Sequence, residues 1–425
     1  MQYKVVPKKN FQGNFGDGSE KIRTFALGNQ TLTVTTTTAA KHGNTRIIAL
    51  RKWSGCREYQ GDILLNSMET NIKHKFPYKW TLKDAVFTKD KGKVFSCFAC
   101  GGGSTMGYKL AGFDVIGCNE IDPRMNKVYV ANNHPRLNYL CDIREMVTKE
   151  LPDELYHLDI LDGSPPCSSF SICGAREEGW GKEKHFREGQ TKQVLDTLFF
   201  DFIALAKRLQ PKIVIAENVK GLILGEAVKY VGRIGQAFED AVYTTTLTLC
   251  NGKYMGLPQM RERTFFVAIR HDLMQHVPLQ GLFNEPYIDL TFNEEPILWR
   301  EVQSKANDRP LTEQKYNLWK LRKEGDIDLS SCCARNGENP NKFFNSKFIY
   351  ADKVPNTVAG KDYCIVFDEG RQRNHEEIKL CSSFPLDYNF QDQPIDYICG
   401  MSVPPVMMAQ VASRVYEQWL SKVTK

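Results

Sequence analysis

Lys93-Val94-Phe95-Ser96-Cys97-Phe98-Ala99-Cys100-Gly101-Gly102-Gly103-Ser104-Thr105-Met106-Gly107 is the stretch on which the fold turns. Val94 to Ala99 has the apolar texture of a buried strand. Glycines then break it, and a helix is expected to run on to about Ala111. Asp114 to Glu120 reads as a second strand and Arg124 to Asn132 as a helix. A short strand precedes Asp142, and Leu158 to Gly163 reads as another. Gln193 to Leu209 is amphipathic, with Leu195, Leu198, Phe199, Phe202, Leu205, Ala206 and Leu209 on one face. Lys212 to Ala216, Thr244 to Cys250 and Thr264 to Ile269 are further strands. Strands alternating with helices predict an α/β fold: a Rossmann-like, doubly wound, mostly parallel sheet.

The texture changes outside that region. Residues 1–90 are an extension in which Thr31 to Thr38 is polar and β-prone. No constellation of chemical groups stands out there. Residues 91–270 form the expected catalytic and cofactor-binding domain. Residues 271–352 lose the periodicity and read as a smaller, irregular domain. Residues 353–400 would support it. Residues 401–425 carry a helix that opens at Pro404-Pro405 and returns to the first domain.

Composition narrows the class. The chain has 425 residues, 42% of them hydrophobic, enough for a real core. No run approaches the ~18 apolar residues of a membrane helix, and Met1 to Lys9 lacks the apolar centre of a signal peptide. A cytoplasmic protein is expected, with no membrane partner. The 13 cysteines are scattered and do not form a disulfide framework. Cys97-Phe98-Ala99-Cys100 matches C-x-x-C, but no second pair or His cluster stands at zinc spacing, so no metal is expected. The net charge of +6 is mild. Its basic residues nevertheless cluster at Lys182, Lys184, His185, Arg187 and Lys192, and again at Arg261, Arg263 and Arg270, as contacts to phosphates would require.

Two groups carry chemistry. The glycine turn follows the first strand and opens a helix, where backbone N–H groups can approach a ligand. Glu120 ends the next strand, where an acid accepts hydrogen bonds from ribose hydroxyls. The spacing of Gly101, Gly103 and Gly107 is not that of a G-x-G-x-x-G nicotinamide site. Asp142 could hold an exocyclic amine or simply cap a helix. The second group begins with Gly163-Ser164-Pro165-Pro166-Cys167-Ser168-Ser169-Phe170-Ser171. A thiol on a proline-stiffened turn past the carboxyl end of a strand is well placed as a nucleophile. Glu217-Asn218-Val219 is expected to follow the apolar strand, and Gln259-Met260-Arg261-Glu262-Arg263 to precede another.

Taken in order, these motifs and the terminal Gly400-Met401-Ser402-Val403-Pro404-Pro405 resemble the cytosine carbon-5 DNA methyltransferase family. The likeness covers Lys93 to Arg270 and Val354 to Leu420. It implies the S-adenosylmethionine methyltransferase fold, S-adenosyl-L-methionine as cofactor and a flipped cytosine in double-stranded DNA as substrate. It casts Cys167 as nucleophile toward carbon 6, Glu217 as the acid that holds the ring, and Arg263, with Arg261 close by, as contacts to the flipped base. Phe98, Ala99, Gly101, Gly103, Glu120, Ile121, Asp142, Ile143, Pro166 and Ser402 would bind the cofactor. Ser168, Asn218 and Gln259 would contact substrate. Ser168 to Gln190 matches a mobile loop that closes over DNA. Residues 271–352 take the place of a target-recognition domain, and Arg371, Glu377 and Ser383-Phe384-Pro385 resemble the motif supporting it. Val354 to Ala359 resembles a short element that often precedes that motif. A monomer is expected in a bacterial or phage-infected cell, with a companion restriction endonuclease as a candidate partner.

Three positions depart from the family's pattern. Ser96 stands where an aspartate is usual, Cys100 replaces a glycine, and Met401 replaces an asparagine. Two other readings are kept beside the main one: a tRNA cytosine carbon-5 methyltransferase, and a non-catalytic DNA-binding relative. A tRNA enzyme of this kind usually carries a Cys-Phe-Thr signature, which is missing here. Non-catalytic relatives tend to lose the cysteine or the glutamate, and this chain has both.

Overall fold

The computed structural model describes residues 74–166, 197–281 and 285–423, together with the backbone of the strands 18–27, 30–39 and 45–50. Ten strands form the main sheet. They are β1 (Gly18–Leu27), β2 (Gln30–Ala39), β3 (Thr45–Leu50), β4 (Lys93–Cys97), β5 (Asp114–Glu120), β6 (Leu137–Leu140), β7 (Ile160–Gly163), β8 (Ile213–Val219), β9 (Tyr243–Asn251) and β10 (Glu262–Arg270). Their spatial order is β1-β2-β3-β9-β10-β8-β7-β4-β5-β6.

Strands β6, β5, β4, β7 and β8 are mutually parallel. β10 is antiparallel to both of its neighbours, β8 and β9. One reversed strand in an otherwise parallel seven-strand core is the expected doubly wound α/β fold. β1 to β3 belong to the N-terminal extension and continue the sheet beyond β9, with Arg46 opposite Thr248 and Ile47 opposite Leu247.

The strands read as near-continuous apolar runs because both faces are covered. Alternate residues feed two cores. Phe95, Leu161, Val214, Ala216, Phe266 and Ala268 face one core. Val94, Ile160, Ile213, Ile215, Phe265, Val267 and Ile269 face the other. Each fully buried aliphatic or aromatic side chain of this size contributes ~1.5–3 kcal/mol.

The helices of the parallel half are α1 (Gly103–Leu110), α2 (Pro123–Asn133), α3 (Ile143–Thr148), α4 (Leu198–Leu209) and α5 (Val228–Asp240). α4 buries Leu198, Phe199, Phe202, Leu205, Ala206 and Leu209, the face expected from the sequence. Residues 193–196 of that expected helix, with Leu195, lie outside the described residues. α5 was not anticipated, yet Tyr230, Val231, Ile234 and Phe238 give it a clear buried stripe.

Beyond β10 come short helices α6 (Trp299–Val302), α7 (Glu313–Trp319), α8 (Ser330–Arg335), α9 (His375–Cys381) and α10 (Ile395–Met401). A three-stranded sheet of Phe348–Ile349, Ile365–Val366 and Arg371–Gln372 sits among them. Arg371 and Glu377 form a buried two-pronged ion pair there, with N–O distances of 2.8 and 2.7 Å. The last long helix, α11 (Pro405–Val415), packs against α1.

Candidate active site

Four strand ends converge on one edge of the sheet. The parallel strands β4, β7 and β8 present their carboxyl ends there. β10 runs the other way, so its first residues reach the same edge. Glu217, Asn218 and Val219 are the last residues of β8 rather than residues after it. The strand is longer than its apolar run because Arg263, Thr264 and Phe265 pair with Val219, Asn218 and Glu217.

Glu217 and Arg263 meet at this edge. Arg263 Nε lies 2.9 Å from Glu217 Oε1, and both side chains are largely buried. Arg263 Nη1 also donates to its neighbour's carbonyl, Glu262 O, at 2.8 Å. Asn218 points the other way: its Nδ2 donates to Pro165 O at 3.1 Å, and its Oδ1 accepts from Val219 N at 2.9 Å. It anchors the proline turn on the strand carrying Glu217. Gly163 pairs with Ala216, so the chain leaving β7 toward Cys167 starts beside Glu217. Cys167 and Ser168 lie outside the described residues; Pro165 is buried and Pro166 half-buried.

Arg261 and Gln259 are placed differently from the expectation. Arg261 is 1% exposed. Its Nη1 donates to Val358 O at 3.1 Å, and its Nη2 to Gly400 O and Ser402 O, both at 2.9 Å. Gln259 Nε2 donates to Cys381 O at 2.7 Å, and its Oε1 accepts from Val358 N at 3.0 Å. Both side chains clamp the 358–402 segment onto the turn that precedes β10. Arg261 sits in the turn before β10, so the alternation that would put it beside Arg263 does not apply.

The glycine turn also differs in its reason. A Cβ on Gly101 would come within 2.4 Å of Ile398 Cγ2, and one on Gly103 within 2.3 Å of Val403 O. These glycines make room for α10 and the Ser402-Val403 turn, not only for a ligand. Cys100 has a left-handed backbone, with φ of 46°, a conformation that glycine adopts more readily. Tyr388, a residue the sequence did not single out, donates from its hydroxyl to Gly101 O.

The remaining cofactor candidates surround that turn. Glu120 Oε2 accepts from Cys100 N at 2.7 Å, and its Oε1 from Ile121 N at 2.9 Å and Asp122 N at 2.8 Å. Burial raises its pKa above the ordinary carboxylate value. Ile121 beside it is 38% exposed, a ready apolar surface. Asp142 caps α3, accepting from Arg144 N at 2.9 Å, and Ile143 is buried behind it. Ala99 is buried, and Phe98 packs its ring toward Phe202. Ser402 Oγ is buried beside the Cys100 thiol and has no other hydrogen-bond partner among the described residues. Met401 is 40% exposed. Burial, then Glu120, pushes the Cys100 thiol up to about 12, which disfavours its thiolate. Among the described residues no group of His, Cys, Asp and Glu could hold a metal, and no helix is long and apolar enough to cross a membrane.

A family profile described as C-5 cytosine-specific DNA methylase matches residues 92–417. The chain belongs to this family. Type II methyltransferase M.FnuDI of Fusobacterium nucleatum is 35% identical over 43% of this chain and 48% of its own. Type II methyltransferase M.NgoPII of Neisseria gonorrhoeae is 35% identical over 43% and 49%. The chain thus spans about half the length of the curated relatives it matches. Among solved structures, a putative DNA modification methyltransferase encoded within an E. coli prophage covers 77% of this chain and 99% of its own, with 19% identity and a TM-score of 0.51. The S. pombe Dnmt2 methyltransferase covers 77% and 98%, with 14% identity and a TM-score of 0.51. At that identity the likeness is one of fold.

Proposed function

We propose that this protein is a DNA (cytosine-5)-methyltransferase. It would methylate carbon 5 of a cytosine flipped out of a specific duplex sequence. The observation that carries this reading is the Glu217–Arg263 pair, set beside the proline turn that leads into Cys167. Carbon 5 of cytosine is a poor nucleophile. A thiolate adding at carbon 6 makes carbon 5 enamine-like and able to accept a methyl group. Cys167, which follows Pro165 and Pro166 in the sequence, would supply that thiolate; Asn218 tethers Pro165. Arg263 positions the Glu217 carboxyl group, which in its protonated form donates to ring N3 as the thiolate adds, and whose other oxygen accepts from the exocyclic amine, relieving the charge that develops on the ring. Loss of the carbon-5 proton and elimination of Cys167 then release the product. Extruding the base from the duplex costs a few kcal/mol.

The residues present fit S-adenosyl-L-methionine. Glu120 is held rigidly by three backbone N–H groups, and a carboxylate can accept further hydrogen bonds from ribose hydroxyls. Ile121 offers an apolar face to adenine, Asp142 and Ile143 lie at the next strand's end, and Ser402 Oγ, with only the Cys100 thiol beside it, can meet a polar group. When bound, S-adenosylmethionine supplies an electrophilic methyl group. Gly101 and Gly103, with Phe98, Ala99 and Pro166, would line the remainder of its pocket. Residues 271–352 would read the DNA sequence, and the names of the relatives suggest a role in restriction-modification.

Expression in a host without cytosine methylation, followed by bisulfite sequencing, tests this reading. Methylated cytosines in one sequence context are expected, and none with the Cys167→Ala variant. Unmethylated DNA together with newly methylated tRNA would transfer the activity to RNA.

A further inference from the structure

A buried carboxylate without a cation lies under the glycine turn. Asp162, the third residue of β7, is 1% exposed. Ser96 Oγ and Ser104 Oγ each donate to its Oδ2 at 2.7 Å, and Tyr108 OH donates to Oδ1 at 3.2 Å. The titratable groups facing it are Cys97 of β4, Tyr108 of α1 and Glu217 of β8, none of them cationic. Among the described residues no Lys, Arg or His forms an ion pair with it.

Hydroxyl donors satisfy the hydrogen bonds of a carboxylate but leave its charge uncompensated, and such a charge is costly to bury. An asparagine could accept from the two serines through Oδ1 and donate to the Tyr108 oxygen. What the aspartate alone supplies is the negative charge. Ser96, where the family usually has an acid, is one of its donors, so the acid stands one strand over. Ser104 opens α1 immediately after Gly101 to Gly103, and Ser164 to Pro166 follow Asp162 toward Cys167. The charge is thus bonded to the helix that the proposed cofactor turn opens, and it stands five residues before Cys167 in the sequence.

We propose that Asp162 is the counter-charge for the sulfonium of the methyl donor, so that the pocket favours the cationic donor over its neutral thioether product. The proposal rests on the cofactor reading above. At an effective dielectric near 20, unit charges about 10 Å apart interact strongly enough to change an affinity roughly tenfold. Burial pushes the Asp162 carboxyl up to about 6, against the pull of its three hydroxyl donors, so it is ionised at pH 8 and largely neutral at pH 5.

Calorimetric titration of the whole chain with S-adenosylmethionine and with S-adenosylhomocysteine gives a ratio of affinities. Damage to the pocket moves both ligands together, while loss of the charge moves the ratio. Asp162→Asn at pH 8 should shift the ratio about tenfold toward the thioether. Wild-type protein should make the same shift between pH 8 and pH 5, and Asp162→Asn should not. Glu120, also pushed up by burial, would face the ribose common to both ligands and cancels in the ratio. An unchanged ratio, or equal weakening of both ligands, overturns the proposal and leaves Asp162 a structural residue. If the variant does not fold, the wild-type pH series decides. A wild-type chain that binds neither ligand overturns the cofactor reading, and this inference with it.

Discussion

Arg263 Nε sits 2.9 Å from Glu217 Oε1 across the antiparallel pair of β8 and β10. The two residues are not directly opposite in register: Glu217 faces Phe265, and Arg263 faces Val219. The arginine reaches back along β8, and its length suits a contact between residues on a diagonal. The reversed strand is what makes this contact possible. A parallel strand in the place of β10 would begin at the opposite edge of the sheet.

Glu217→Gln keeps the shape of the side chain and removes its charge. Turnover of DNA should fall at least about 100-fold, the scale seen when a preorganised electrostatic partner is lost. Binding of S-adenosylmethionine should change little. Equal losses in both measurements would place Glu217 in the wrong site.

Arg261 and Arg263 should separate in their effects. Arg261→Ala leaves the carbonyls of Val358, Gly400 and Ser402 without their buried donor. A loss of roughly 3–5 kcal/mol is expected in urea unfolding. Arg263→Ala should cost less stability and more turnover. An Arg261→Ala protein as stable as wild type but inactive would reverse the two roles.

Much of this was legible in the sequence because apolar runs and glycines obey local rules. Val94 to Cys97, Asp114 to Glu120 and Thr264 to Ile269 alternate between two buried faces, and burial on both faces makes them continuous runs. The direction of β10 was not legible, since alternation is the same in either direction. Gln259 and Arg261 had the right residue types for a substrate site, but their partners are backbone groups 97 to 141 residues away in the chain, which no local pattern encodes. Asp162 does carry a local signal: it is a charged residue inside a four-residue buried strand.

Asp162 should also leave a mark on stability. Its carboxyl titrates near 3.8 ordinarily and is raised to about 6 in the fold. The folded state therefore holds this proton more tightly. The group's stabilising contribution is fully present below about pH 4 and is lost as pH rises through 6. Relative to Asp162→Asn, wild-type protein should gain stability between pH 7 and pH 4, by about 3 kcal/mol at most. Parallel pH–stability curves for the two proteins would contradict the shifted carboxyl.

Glycines give opposite expectations in α1 and α5. A methyl on Gly103 would meet Val403 O at 2.3 Å, and a backbone oxygen cannot swing aside as a side chain can. Gly103→Ala should cost about 2 kcal/mol or more and weaken S-adenosylmethionine binding, because the turn must shift. Gly232 and Gly235 lie inside α5 with nothing within 4 Å of an added Cβ. There an alanine only removes the entropy that glycine loses on entering a helix. Gly232→Ala and Gly235→Ala should each stabilise the protein by roughly 0.5–1 kcal/mol, read as a rise in the urea midpoint at unchanged slope. A fall in either midpoint would mean that α5 packs more closely on that side than the structure shows.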